Sequence, residues 1–230
     1  MKKLLLPWLC FFACLLTASA PLFADDTHVP FRADLPAGAA FRIDARHLRP
    51  TQFAVGRRAV LDKQAKIDER SPAKLAAYLK KKDVPVVIGP GGLPYMADGH
   101  HTLNGLLRSR HTDKTAYGHI LANWSDLAPD AFWTRMAELR YVYLKDELGR
   151  ARVAAELPTS LLQLRDDPWR SLAGAVLDTG GYAERPDVFY QQFLWADFFR
   201  ERVKWNDRDD ADFARALREA TALAREAAAS

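Results

Sequence analysis

The chain is 230 residues long, 49% hydrophobic and 27% charged, with a formal net charge of +4 of which Lys2 and Lys3 supply two units. Its basic residues are scattered among acidic ones, which excludes the strong electrostatic footprint of a dedicated nucleic-acid-binding surface. Both cysteines, Cys10 and Cys14, lie near the N-terminus, so the remainder forms no disulfide and relies on an apolar core, which a chain of this size is able to build.

Residues 1–24 read as a secretory signal peptide: Lys2 and Lys3 precede an apolar run from Leu4 to Leu16, and small residues follow around Ala18-Ser19-Ala20. Cleavage is expected after Ala20 or just before Asp25. The run falls short of the roughly 20 residues that span a bilayer, so export to the periplasm, with no membrane span after cleavage, is preferred to a retained anchor. Residues 25–40 carry Pro30, Pro36 and Gly38 with no sustained period and read as an extended leader.

An α/β core is expected over 41–125. Phe41 to Ala45 alternates as a strand does, and Arg57 to Asp68 reads as a helix with Val60, Leu61 and Ile67 inward. Ser71-Pro72 opens a second helix that buries Leu75, Ala76, Tyr78 and Leu79. Val84 to Ile88 is a β-branched run, and Gly89-Pro90-Gly91-Gly92 turns the chain back into Tyr95 as a hairpin. Ala116 to Leu121 is a further strand. Residues 126–230 are helical: Phe132, Met136 and Leu139 share one helix, and Asp167-Pro168-Trp169 opens another with Leu172, Val176 and Leu177. A third holds Phe189, Phe193 and Phe199, and Ala211 to Ala229 is a terminal helix with Phe213, Leu217 and Leu223 inward. Tyr141 to Leu144 fits a helix end or a short strand, and Glu147 to Arg150 fits a turn. The fold class is therefore α/β (α+β), a small mixed sheet followed by a helical C-terminal extension packed on it.

Chemistry concentrates at Asp98-Gly99-His100-His101-Thr102. Leu103, Leu106 and Leu107 follow at helical spacing, so a helix begins near His100 with Asp98 or Gly99 at its cap. The first turn of a helix leaves N–H groups unpaired and carries a partial positive charge, which suits a phosphate. His100 and His101 are the candidates for acid, base or phosphate donor, and Asp98 for helix cap or metal ligand. Adjacent histidines on a helix point in different directions, so no tightly held metal is expected; a divalent cation at Asp98 is the alternative. His47 and His119 read as surface or core residues.

The order Val-Ile-Gly-Pro-Gly-Gly, Tyr95, Asp98-Gly99-His100-His101-Thr102 resembles the ParB-like nuclease families of the ParB/sulfiredoxin superfamily. Leu48 to Gln52 with Val55-Gly56 resembles the opening motif, and Phe193 to Arg200 the closing motif of the ParB-like branch, including Trp195 and Asp197, which read as packing. The resemblance spans about Phe41 to Trp205. It implies a loop that recognises nucleotide or nucleic-acid phosphate, a nuclease or phosphoesterase activity, and a pocket-lining role for Gln52. The sulfiredoxin reaction is excluded, because that relative uses a cysteine where this chain has His100. Many relatives carry Arg directly after the histidine pair; here Thr102 stands there, with Arg57, Arg58 or Arg108 as replacements and Lys63 as a lesser candidate. A binding module of the cell envelope that has lost turnover is the competing reading.

Overall fold

The computed structural model describes residues 27–185, 188 and 190–229. The signal-peptide reading of 1–24 and the place of Phe189 lie outside the described residues.

The elements in chain order are β1 (Val29–Pro30), β2 (Ala40–Asp44), β3 (Arg49–Pro50), β4 (Ala54–Val55), α1 (Arg57–Asp68), α2 (Pro72–Lys80), β5 (Val84–Gly89), β6 (Leu93–Met96) and α3 (His100–Arg108). There follow β7 (Thr115–Asn123), α4 (Pro129–Glu138), β8 (Arg165–Asp166), α5 (Pro168–Asp178), α6 (Gln191–Arg202) and α7 (Asp210–Ala229). The mixed sheet runs β1-β2-β7-β5-β6-β3, with β5 parallel to β7 and antiparallel to β6. The fold is thus α/β with a helical C-terminal region. Gly118 lets β5 and β7 run side by side: a Cβ there would stand 2.0 Å from the Val84 carbonyl oxygen.

Alternation along β5 feeds two cores. Val86 and Ile88 join Phe41, Met96, Leu103 and Ile120 on the face covered by α1, α2 and α3. Val87 faces the other way, onto Phe132 and Met136 of α4. A third cluster, built from α5, α6 and α7, holds Leu172, Val176 and Phe199. Full burial of each such side chain contributes about 1.5–3 kcal/mol. The short β4–β8 pair, with Ala54 opposite Arg165, ties the helical region back to the segment between β3 and α1. No helix of the described residues is long and apolar enough to cross a membrane.

Two expected inward residues are exposed, and three more are only partly covered. Leu61 is 50% exposed, because α1 turns Val60 and Ile67 inward, and Leu139 lies exposed at the cap position beyond α4. On α7 the fully buried stripe is Ala216, Ala220 and Ala224, with Phe213, Leu217 and Leu223 only partly covered beside it. Small residues at i, i+4, i+8 let α7 approach α5 closely. Tyr141 to Leu144 is neither helix nor strand; the Tyr143 N–H donates to the Thr51 carbonyl at 2.9 Å, and Asp146 to Arg150 forms the turn.

Candidate functional site

The chain leaves β6 at Met96 and enters α3 through Gly99, whose φ of +91° is the left-handed conformation that glycine adopts without strain. Asp98 does not cap the helix. Its Oδ1 accepts the Gly99 N–H at 2.6 Å and its side chain stays exposed. The first helical bond runs from Leu103 N–H to the Gly99 carbonyl, so the N–H groups of His100, His101 and Thr102 have no acceptor among the described residues.

The two imidazoles are held as acceptors. His100, 2% exposed, takes the Thr51 N–H on Nε2 at 3.2 Å, and His101 takes the Gly56 N–H on Nε2 at 2.9 Å. A neutral ring bonded in this way carries its proton on Nδ1. Burial keeps both neutral, pushing His100 down to about 3 and His101 well below its ordinary value, and the positive charge of Arg170 acts in the same direction. The histidines therefore pin the Thr51–Gly56 segment against α3. Thr51 adds to the joint by donating its hydroxyl to the Met96 carbonyl at 2.7 Å, and it lies 2.9 Å from the Tyr190 hydroxyl.

A cavity of about 440 Å³ opens over this helix start. Asp98, Gly99, His100, His101, Thr102 and Gln52 all line it. Gln52 is buried and donates to the Ala54 carbonyl at 2.6 Å, and Lys63 stands on the same wall. Arg57 and Arg108 are not part of the group. They line a separate cavity of about 530 Å³ with Val60 and Asn104. Arg108 ends α3, eight residues or about 12 Å along the axis from His100, and its Nε is bound to Asn104 Oδ1 at 2.7 Å. Arg57 begins α1 with its N–H on Asp166 Oδ1 at 2.8 Å, and Arg58 is paired with Asp210.

The buried guanidinium at the histidine pocket is that of Arg170, from the first turn of α5, and Arg185 lines the same cavity. Arg170 is 6% exposed, donates from Nη1 to Gln192 Oε1 at 2.8 Å and stacks at 4.0 Å over the Phe193 ring. Its Nε has no hydrogen-bond partner, and among the described residues no carboxylate lies within 4.0 Å of it. Burial lowers it to about 10, so it remains a cation at neutral pH. Arg170 is not among the residues that the sequence pattern brings to this loop. The available signal was a basic residue in the first turn of a helix, the end where the dipole disfavours a cation.

Asp197 instead accepts from the Tyr143 hydroxyl at 2.9 Å and from Lys145 at 2.5 Å, and Trp195 stacks on Tyr182 at 4.5 Å. Both are packing residues of the helical region. A divalent cation does not fit the histidine loop: both Nε2 lone pairs accept backbone N–H groups, both Nδ1 atoms carry protons, and Asp98 is left as a single carboxylate. No group of three His, Cys, Asp or Glu side chains able to hold a metal occurs among the described residues.

No curated protein matches the chain. Among solved structures, it is similar to the crystal structure of protein Atu1540 from Agrobacterium tumefaciens. The two share 36% identity with a TM-score of 0.68, covering 80% of this chain and 90% of the other. The family model described as "Putative ParB-like nuclease" matches residues 41–201, a span that contains the mixed sheet from β2 onward, the histidine loop and Arg170, and the chain belongs to that family.

Proposed function

We propose that the cavity at the start of α3 recognises a phosphate group, and that His100 and His101 serve there as hydrogen-bond donors rather than as acid or base. Arg170 carries this reading. It is buried, no carboxylate of the described residues lies within 4.0 Å of it, and the charges of Asp167 and Asp98 reach it only from farther away, so a bound anion would offset part of the cost of burying it. The unpaired N–H groups of the α3 first turn and the two Nδ1–H groups supply further donors at the positive end of a helix. Thr102 stands where relatives carry Arg, and Arg170 supplies the missing guanidinium from another part of the chain. Acid–base work fits less well, because both rings stay neutral across the physiological range and use their lone pairs structurally.

Membership of a ParB-like nuclease family favours a second reading, phosphoester hydrolysis with Asp98 as the carboxylate of the loop. One experiment separates the two. Purified protein is titrated calorimetrically with inorganic phosphate, and incubated with single-stranded DNA, duplex DNA, RNA and p-nitrophenyl phosphate, with and without Mg²⁺, Mn²⁺ or Zn²⁺. Saturable phosphate binding that Arg170→Met weakens at least 10-fold, without turnover, is the expected result. Cleavage that disappears in Asp98→Asn would replace it with the hydrolase reading, and absence of both binding and cleavage would remove the site.

The pattern of residues 1–24 supports export to the periplasm, which a fusion to a reporter active only outside the cytoplasm tests. Export would separate the pocket from cytoplasmic nucleoside triphosphates, so a phosphate ester suits it better than a triphosphate-driven switch.

A further inference from the structure

Building on phosphate recognition at this pocket, we infer that its ligand is a terminal phosphate, a monoester dianion entering end-on, and that internal phosphodiesters of a nucleic-acid strand are excluded. Three observations converge on this.

The first is donor number. The residues along one cavity bring three unpaired backbone N–H groups at His100 to Thr102, two imidazole Nδ1–H groups, the Thr102 hydroxyl and the Arg170 guanidinium. A monoester presents three terminal oxygens and a charge of about −1.5 to −2 near pH 7. A diester has two such oxygens and a single charge, and would leave more of these donors unpaired.

Depth is the second. The groups that would bond the phosphoryl oxygens are His100, 2% exposed, and Arg170, 6% exposed. A monoester has one ester link and is able to put its phosphoryl group first into such a site. An internal diester is tethered on both sides and must bring two chain segments down with it.

The third is the rim. Lys63, Lys81, Lys82 and Arg185 line the cavity, but Asp83, Asp98 and Glu184 stand among them. Surfaces that follow a phosphate backbone present a continuous basic track. Here carboxylates interrupt it, which suits one compact dianion and repels a polymer.

The test compares phenyl phosphate with diphenyl phosphate by calorimetry, and a 5′-phosphorylated with an unphosphorylated oligonucleotide of the same sequence. Phenyl phosphate binding at least 10-fold more tightly than diphenyl phosphate, with the preference lost in Arg170→Met, supports the inference. Arg170→Lys, which keeps the charge without the Nε–H, is expected to retain part of the affinity and covers the case in which the Met variant fails to fold. If the oligonucleotide gains affinity from its 5′-phosphate, the ligand is a nucleic-acid end. If it gains none while phenyl phosphate binds, the ligand is a small phosphorylated molecule. Equal binding of the mono- and diester would overturn end-on recognition while leaving the phosphate site standing. Failure of inorganic phosphate and both esters to bind would remove the phosphate site itself.

Discussion

Two arginines of the helical region, Arg170 and Arg200, are both drawn into the fold, and both have an unpartnered Nε. They differ in compensation. Arg200 donates from Nη2 to Asp167 at 2.8 Å, has Asp197 3.8 Å from its Nε, and reaches the Glu147 carbonyl at 3.2 Å. Arg170 has a neutral amide and an aromatic face as its close partners, with Asp167 and Asp98 acting on it only from beyond salt-bridge distance. The first completes a structural ion network with Lys145 and Tyr143, and the second leaves positive charge facing a cavity. The unpartnered Nε alone would rank the two alike; close counter-charges separate an arginine that holds the fold from one proposed to meet an anion.

The largest expected effect is on the compensated side. Asp167, 1% exposed, pairs with Arg200 and also caps α5 by accepting the Trp169 N–H at 3.0 Å. Asp167→Ala should therefore cost about 3–5 kcal/mol in urea unfolding, because it strands a largely buried cation. His100→Ala comes next, at about 1–3 kcal/mol, since it leaves the fully buried Thr51 N–H without its acceptor. A smaller cost under the same denaturant would show that water replaces the imidazole there.

Acid sharpens the same point. His100 titrates near 6.5 in the unfolded chain and at about 3 in the fold, so between those values the unfolded state binds the extra proton. Stability is fully present above about pH 6.5. It then falls as pH drops toward 3, by about 1.4 kcal/mol per pH unit for this group, with His101 acting in the same direction. Melting curves between pH 7 and 5 should show that slope, and His100→Gln should flatten it. Gly99→Ala should cost about 1–2 kcal/mol through backbone strain alone, because the new Cβ would meet Val84 only at an ordinary 3.4 Å.

The smallest effect on stability is expected at Arg170, where a small value is the point. Replacing a buried cation that has no close ion-pair partner by Met should leave stability unchanged or raise it by about 1 kcal/mol, while phosphate affinity falls at least 10-fold. A loss as large as that of Asp167→Ala would break the comparison and make Arg170 a structural residue.

Much of the fold was legible in the chain. β-branched runs bounded by glycine and proline marked the β5–β6 hairpin, Pro72 and Pro168 marked the starts of α2 and α5, and leucine spacing marked α3. Side-chain identity misled where geometry overrode hydropathy. Leu61 points away from the face that α1 buries, and the alanines of α7 do the packing assigned to its larger neighbours.

By itself the sequence determined the element types around the loop and the placing of two histidines at a glycine-opened helix start, because periodicity, turn chemistry and capping are local. Tertiary structure alone decided that those histidines accept backbone N–H groups from Thr51 and Gly56, that Arg57 and Arg108 face another cavity, and that the Arg170 Nε has no hydrogen-bond partner. Each of these depends on groups distant in sequence. Whether a charge is compensated is a property of the space around it, which no local pattern encodes.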